Sequence, residues 1–129
     1  MTDRFRSALI LHPNLLTRKA VRRQLMLAGF ERVLEAEDDA SAIALASQER
    51  LDVVFTPFAA GELKGAALFR ALRARDRKAA PVLVLLDDGV PPPARVAAVK
   101  AGLSGRLTLP VQPEQVQRLL AELSAPAPA

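Results

Sequence analysis

Few residues of this 129-residue chain could perform chemistry, and those that could stand apart in the sequence. The chain has one histidine, His12, and no cysteine, so the usual nitrogen and sulfur ligand sets for zinc cannot form. Asp87 and Asp88 stand side by side before Gly89, which is more typical of a turn than of paired catalytic carboxylates. Thr56 ends an apolar run, where β-propensity explains a threonine better than a role as nucleophile does. These residues predict neither an enzyme nor a metal site.

The composition indicates one small domain with an aliphatic core. Half of the residues are hydrophobic but only 4% are aromatic, so leucine, valine, isoleucine and alanine must fill that core. No apolar stretch reaches the roughly 18 residues that a membrane span needs, and no signal peptide follows Met1. Together with the absence of cysteine, this favours a cytoplasmic protein with no membrane partner. The net charge of +4 is too small to select acidic proteins, nucleic acids or small anions as partners.

Short apolar runs alternate with segments of helical periodicity along the chain. Strands are predicted at residues 8–11, 33–36, 51–56, 82–86 and 106–109. Helices are predicted at residues 14–27, 39–46, 65–74, around Val96 and Val99, and at 113–123. Five β/α units with short connections predict an α/β fold in which helices cover both faces of a parallel sheet. Residues 1–123 form the predicted domain, and residues 124–129, rich in proline and alanine, form a disordered tail.

The residues at the ends of the predicted strands resemble those of the response-regulator receiver domain, of the chemotaxis-type, flavodoxin-like fold. The resemblance extends from about Ser7 to Leu123 and depends on the order and spacing of its motifs. These motifs are Leu11-His12-Pro13-Asn14, Glu35-Ala36-Glu37-Asp38, Asp52 to Pro57 with Gly65 following, Pro81 to Leu86, and Ala101 to Gly105 before Leu109-Pro110. The resemblance implies a three-layer, doubly wound sheet of five parallel strands in the order 2-1-3-4-5.

The receiver family uses positions at the strand ends for its chemistry. Two acidic residues after strand one and an aspartate after strand three hold Mg²⁺, and that aspartate accepts a phosphoryl group. A threonine or serine ending strand four and a lysine before the strand-five proline contact the phosphoryl oxygens. The matching positions in this chain are His12, Pro13, Pro57, Leu86 and Leu109. Because Mg²⁺ needs oxygen ligands and a phosphoryl group needs charge neutralisation, we expect a degenerate pseudo-receiver whose former site is closed or apolar, without catalysis, metal or cofactor.

Four basic residues on the predicted first helix form two like-charge pairs at i, i+4: Arg18, Lys19, Arg22 and Arg23. Such pairs destabilise an isolated helix. Acidic groups would offset them, either on a partner or nearby in the chain at Glu31 or Glu35. The resemblance implies that this helix docks histidine kinases or phosphotransfer proteins.

The resemblance also implies that the face formed by helix four, strand five and helix five serves dimerisation and output. Its basic residues in this chain are Arg95, Lys100, Arg106 and Arg118. Arg106 stands where the family usually has an aromatic switch residue. We expect the Leu109-Pro110 bond to be cis, as it often is in the family, because an X-Pro bond adopts this form at little cost.

The leading hypothesis is a phosphorylation-independent module of bacterial two-component signalling. It would bind a histidine kinase, a phosphotransfer protein, another receiver or a second copy of itself. The alternative is a sensor of a second messenger such as a cyclic dinucleotide, bound through Arg70, Arg73 and Arg77, although a solubilising edge explains these arginines more simply. Duplex DNA is not favoured, because aromatic residues do not accompany the basic ones and no recognition helix is evident. A third option is a decayed domain kept only for folding or dimerisation.

Overall fold

The structure, a computed structural model, describes residues 6–48, 50–59, 62–63, 70, 71, 74, 81–89, 93, 96, 100 and 103–124. The strands within these residues are β1 (Ser7–Leu11), β2 (Arg32–Ala36), β3 (Val53–Ala59), β4 (Glu62–Leu63), β5 (Val82–Asp87) and β6 (Leu103–Thr108). The longer helices are α1 (Leu15–Leu27), α2 (Asp39–Ala46) and α3 (Pro113–Ser124). The sequence predicts two further helices between β4 and β6. The described residues there are all helical: Arg70, Ala71, Ala74, Pro93, Val96 and Lys100.

Five of the strands form a parallel sheet in the spatial order β2-β1-β3-β5-β6. This is the predicted order 2-1-3-4-5, so the α/β fold expected from the sequence is confirmed. The inner strands are apolar on both faces because helices cover both sides of the sheet. Four of the five residues of β1 and five of the six residues of β5 are buried.

Several boundaries differ from those predicted, and those of β3, β6 and α3 are examples. β3 continues past its predicted end at Thr56 to Ala59, and Phe58 pairs in antiparallel fashion with Leu63 of the unpredicted strand β4. β6 begins three residues early, at Leu103, because pairing with β5 overrides the weak strand propensity of serine and glycine. α3 includes Ser124, which the sequence assigned to the tail. Residues 125–129 lie outside the described residues.

Side-chain caps determine where the first two helices begin. Asn14 precedes α1, and its Oδ1 accepts a hydrogen bond from the Thr17 backbone N–H at 2.9 Å. Asp38 precedes α2, and its Oδ1 accepts from the Ser41 N–H at 2.8 Å. Gly29 follows the end of α1 with a φ of +107°, a backbone conformation that residues other than glycine rarely adopt.

Two apolar clusters hold the helices to the sheet. One lies under α1 and α3 and includes Val21, Leu25, Val116, Leu119, Ile10, Phe55, Val84 and Leu107. The other lies under α2 and includes Ala42, Ala46, Leu9, Leu11, Leu51 and Val54. Among the described residues, no helix is both long and apolar enough to cross a membrane.

Candidate functional site

The carboxyl edge of the parallel sheet is the candidate site, because ligands of such folds bind beyond this edge. In the ladder between β3 and β5, Pro57 lies directly beside Leu86. Both side chains are buried, and Leu86 is only 1% exposed. Leu109 follows β6 and is half-buried, whereas Pro13, directly after His12, is exposed. The parallel ladder between β3 and β5 therefore ends on two buried apolar side chains.

His12 shapes the turn between β1 and α1. Its ring Nδ1 accepts a hydrogen bond from the Asn14 backbone N–H at 3.0 Å, and the His12 backbone N–H donates to the carbonyl oxygen of Ala36 at 3.0 Å. Burial lowers the pKa of His12 below the usual 6.5, the Asp88 carboxylate partly offsets this, and the Arg18 cation adds a smaller lowering. The ring is therefore neutral at pH 7, with Nδ1 unprotonated as its hydrogen bond requires. His12 acts here as a structural acceptor.

Thr56 is fully buried in β3. Its exposed fraction is 0%, and its Oγ1 lies 3.4 Å from the carbonyl oxygen of Pro57. A hydroxyl enclosed in the sheet has no access to a phosphoryl donor in solution. The structure thus supports the role of Thr56 as a strand residue.

The prediction that Asp87 and Asp88 are turn and capping residues is confirmed in part: Asp88 lies in an exposed bend, and the Asp87 carboxylate caps that turn, but Asp87 itself belongs to β5. Asp87 is the last residue of β5 and is 4% exposed. Its Oδ1 accepts from the Gly89 N–H at 2.9 Å, and its Oδ2 lies 3.4 Å from Arg106 Nη1 on β6. These partners compensate the burial of the carboxylate. Across the described residues, no three His, Asp or Glu side chains are grouped closely enough to hold a metal ion.

The basic face of α1 is partly balanced inside the chain, by Glu35 rather than Glu31. The Glu35 carboxylate is 12% exposed and receives Arg18 Nε at 3.2 Å, Lys19 Nζ at 2.7 Å and Arg22 Nη1 at 3.1 Å. Burial alone would raise the pKa of Glu35, but hydrogen bonds from Lys19 and Arg22 outweigh it and hold that pKa below its ordinary value. The three cations and one carboxylate leave a surplus of +2 on this face.

Arg18 and Arg23 differ sharply in their surroundings. Arg18 also donates from Nη1 to the carbonyl oxygen of His12 at 2.7 Å, so it ties α1 to the end of β1. Arg23 is exposed and makes no ion pair with any residue that the structure describes. Of the four basic residues predicted on this helix, Arg23 is therefore the one most available to a partner.

An open groove of about 430 Å³ lies between α1 and the segment after β6. Its lining residues are Leu16, Thr17, Ala20, Val21, Asp88, Leu109, Pro110 and Val111. The Leu109-Pro110 bond is cis, as predicted. The sequence analysis did not predict this groove. One feature of the sequence indicated it: α1 begins with two consecutive leucines, and because adjacent residues of a helix point in different directions, one of them must face away from the sheet. Leu16 is 78% exposed.

The remaining predicted contact residues are only partly described. Arg106 lies on β6 with 44% of its side chain exposed, and Arg118 is exposed on α3. Arg70 and Lys100 are helical and exposed. Arg73, Arg77 and Arg95 lie outside the described residues.

Several solved structures that resemble this chain are response regulators. A response regulator from Thermotoga maritima is 22% identical, with a TM-score of 0.79 over 94% of this chain and 99% of that one. Chemotaxis response regulator CheY4 of Vibrio cholerae is 23% identical, with a TM-score of 0.75 over 92% and 98%. A Burkholderia pseudomallei response regulator, solved with a phosphorylated aspartic acid, is 22% identical, with a TM-score of 0.72 over 89% of this chain and 66% of that one.

The structural similarity to these proteins shows the fold. The family is shown by a separate comparison of sequences. A search of curated proteins gave no match. The sequence model of the response regulator receiver domain matches residues 9–121, which is most of the chain. Proteins built on this domain act as signalling modules. This chain belongs to the response regulator receiver domain family.

Proposed function

We propose that this receiver domain works by binding other two-component proteins, and that it neither accepts a phosphoryl group nor catalyses a reaction. The partner is a histidine kinase, a phosphotransfer protein or another receiver in the cytoplasm of a bacterium. One observation carries the proposal: Pro57 and Leu86 lie side by side and buried at the edge of the sheet where receiver chemistry takes place.

The donor set at this edge supports the absence of phosphoryl chemistry. Mg²⁺ takes oxygen ligands, mainly carboxylates, and Pro13 and Pro57 supply no side-chain oxygen. Asp87 has its carboxylate engaged by the Gly89 N–H and by Arg106. Leu109 replaces the cation that would neutralise a transferred phosphoryl group. The His12 ring is neutral and uses Nδ1 as an acceptor within the β1–α1 turn.

We propose two surfaces for protein contacts. The first is the exposed face of α1, with Arg23 and the surplus charge around Glu35. The second is the face of β6 and α3 that carries Arg106 and Arg118, with Lys100 and Arg95 as its predicted neighbours. We assign the second face to a partner or to a second copy of the chain.

The binding half of the proposal is tested by affinity capture from the host. The bait is the wild-type chain, and captured proteins are identified by mass spectrometry. We expect two-component proteins to be enriched, and we expect the double variant Lys19→Ala/Arg23→Ala to lose them. Arg50→Ala is the matched control. Arg50 is an exposed cation that precedes β3, so it lies at the amino edge of the sheet, opposite the carboxyl edge. Capture that contains no two-component protein would overturn this half.

A further inference from the structure

The outward side of α1 combines apolar and basic side chains in a pattern that fits a lipid surface. We propose that the chain binds peripherally to membranes that contain anionic phospholipids. Its apolar side chains enter the boundary between headgroups and acyl chains, and its cations bind lipid phosphates. The residues of this membrane-binding face are Leu15, Leu16, Lys19, Arg23, Met26 and Leu27. The face of β6 and α3 takes no part in this contact and stays available to proteins, so the inference goes beyond the proposed function.

Exposed large apolar side chains are concentrated on α1. Among the described residues there are six such side chains, and four of them belong to this helix: Leu15, Leu16, Met26 and Leu27. Leu16 and Leu27 are 78% and 70% exposed, and the other two are about half exposed. Single exposed leucines are common on protein surfaces, but a group of this size on one helix indicates a binding surface.

The four apolar residues stand in two lines along the helix axis. Leu15 and Met26 form one line, and Leu16 and Leu27 form the other. Within each line the residues align because their separation of eleven residues is close to three full turns of an α-helix. Each line spans about 16 Å. The four side chains are therefore the corners of one broad face that points away from the sheet.

Basic residues occupy the middle of this face. Lys19 and Arg23 are exposed and lie one helical turn apart, between the two apolar lines. No aspartate or glutamate occurs within α1, which contains four basic residues. Two carboxylates offset part of this charge: Glu35 binds the helix, and Asp88 lines the groove beside it. A surplus of +2 remains, so the face attracts anions.

An anionic membrane matches both chemistries over the whole face. Phosphates lie at the level of the cations, and acyl chains lie just below for the apolar side chains. A second copy of the chain would bring the same cations together, and like charges in an interface are unfavourable. Peripheral binding needs no membrane-spanning stretch, and the lack of such a stretch was the ground for expecting no membrane partner.

Sedimentation with sucrose-loaded vesicles tests the proposal on the full chain. One set of vesicles contains equal parts of phosphatidylcholine and phosphatidylglycerol, and the other contains phosphatidylcholine alone. We expect the chain to bind the anionic vesicles at least about tenfold more strongly, because several cations act together near an anionic surface. Higher salt should reduce this difference, because ions screen the attraction.

A first pair of variants tests the contribution of the charges. Lys19→Gln/Arg23→Gln should weaken binding to the anionic vesicles by about tenfold. The control Arg50→Gln/Arg118→Gln removes the same charge from exposed positions outside α1 and should change binding by less than about twofold. Circular dichroism checks that both variants preserve the fold.

A second pair tests the contribution of the apolar side chains. Met26→Ser/Leu27→Ser should weaken binding to the anionic vesicles by about tenfold, because these side chains would no longer leave water on binding. The control Ile43→Ser/Val96→Ser changes two exposed apolar residues of other helices and should leave binding unchanged. This pair distinguishes insertion from a purely electrostatic attraction.

Three outcomes would overturn the membrane assignment. They are equal binding to the two kinds of vesicle, no sedimentation with either kind, and equal effects of the α1 variants and their controls. A dimer in analytical ultracentrifugation that Met26→Ser/Leu27→Ser converts to a monomer, without vesicle binding, would instead identify a second copy as the occupant. None of these outcomes would affect the proposed function, which is tested by capture of two-component proteins.

Discussion

Asp87 and Arg106 form an ion pair between neighbouring strands, with Arg106 Nη1 3.4 Å from Asp87 Oδ2. The Asp87 side chain is 6% exposed and that of Arg106 is 44% exposed. The backbone carbonyl of Asp87 also accepts from the Leu109 N–H at 2.8 Å. Asp87 therefore stabilises the turn that follows β5, pairs with Arg106 on β6, and binds the segment after β6 that lines the groove beside α1.

Removing Arg106 should destabilise the chain, because the buried Asp87 carboxylate would lose a charged partner. We expect Arg106→Ala to lower the free energy of unfolding by about 1–2 kcal/mol, a value reduced by the solvent around the arginine. Urea denaturation measures this. Arg118→Ala is the control, since Arg118 is exposed and has no ion pair among the described residues, and its effect should stay within about 0.5 kcal/mol. Equal effects of the two variants would contradict a stabilising role for the pair.

Glu35→Gln tests whether α1 depends on internal neutralisation. Loss of the carboxylate leaves Arg18, Lys19 and Arg22 in mutual repulsion, so unfolding should require about 1–2 kcal/mol less free energy. The deficit should shrink at high salt, because ions screen exposed charges. Glu31→Gln supplies the matched control, since Glu31 is exposed and does not bond to these cations. A similar loss in both variants would show that net charge, rather than this contact, is responsible.

His12 should make stability depend on pH in the weakly acidic range. Its pKa is lowered in the folded chain, so the folded state binds the proton less readily than the unfolded state, whose value is near 6.5. The stabilisation is complete above pH 6.5 and is lost as the pH falls from there through the folded pKa. His12→Asn retains an acceptor for the Asn14 N–H but does not titrate, so its unfolding free energy should fall less between about pH 7 and pH 5. Parallel pH profiles for the two proteins would refute this.

Gly105 allows α3 to approach β6. A Cβ at this position would lie 2.6 Å from Leu119 Cδ1, so Gly105→Ala forces the leucine to move. Because this atom is the end of a flexible side chain, we expect a loss of only about 1–2 kcal/mol in thermal or urea unfolding. Leu119→Ala removes the clash, so the two substitutions together should cost less than the sum of their separate effects. Strict additivity would place the strain elsewhere.

The sheet could be predicted from the sequence because each inner strand is a continuous apolar run. Residues 8–11 and 82–86 have this pattern, and the structure places strands there. The start of β6 could not be predicted, since Ser104 and Gly105 lack strand propensity and adopt that conformation only through pairing with β5. Strand β4 was not predicted either, because a strand of two residues is too short to show an alternating pattern.

The sequence was sufficient to predict which residues stand at the candidate site. It was not sufficient to predict which of their side chains contact one another. The positions of Pro57 and Leu86 follow from strand order, which the motifs supplied. The choice between Glu31, just before β2, and Glu35, within β2, required knowing which of the two side chains reaches α1. The groove depends on contacts between residues near position 16 and residues near position 110, and no local pattern encodes such a contact.

The central claim is that the carboxyl edge of this sheet does not take up a phosphoryl group. The most direct measurement is intact-mass spectrometry of the chain after incubation with Mg²⁺ and acetyl phosphate. The Burkholderia pseudomallei regulator, whose structure contains a phosphorylated aspartic acid, serves as the parallel control. We predict an unchanged mass for this chain under conditions that modify the control. An acid-labile adduct with the mass of one phosphoryl group on this chain would contradict the account.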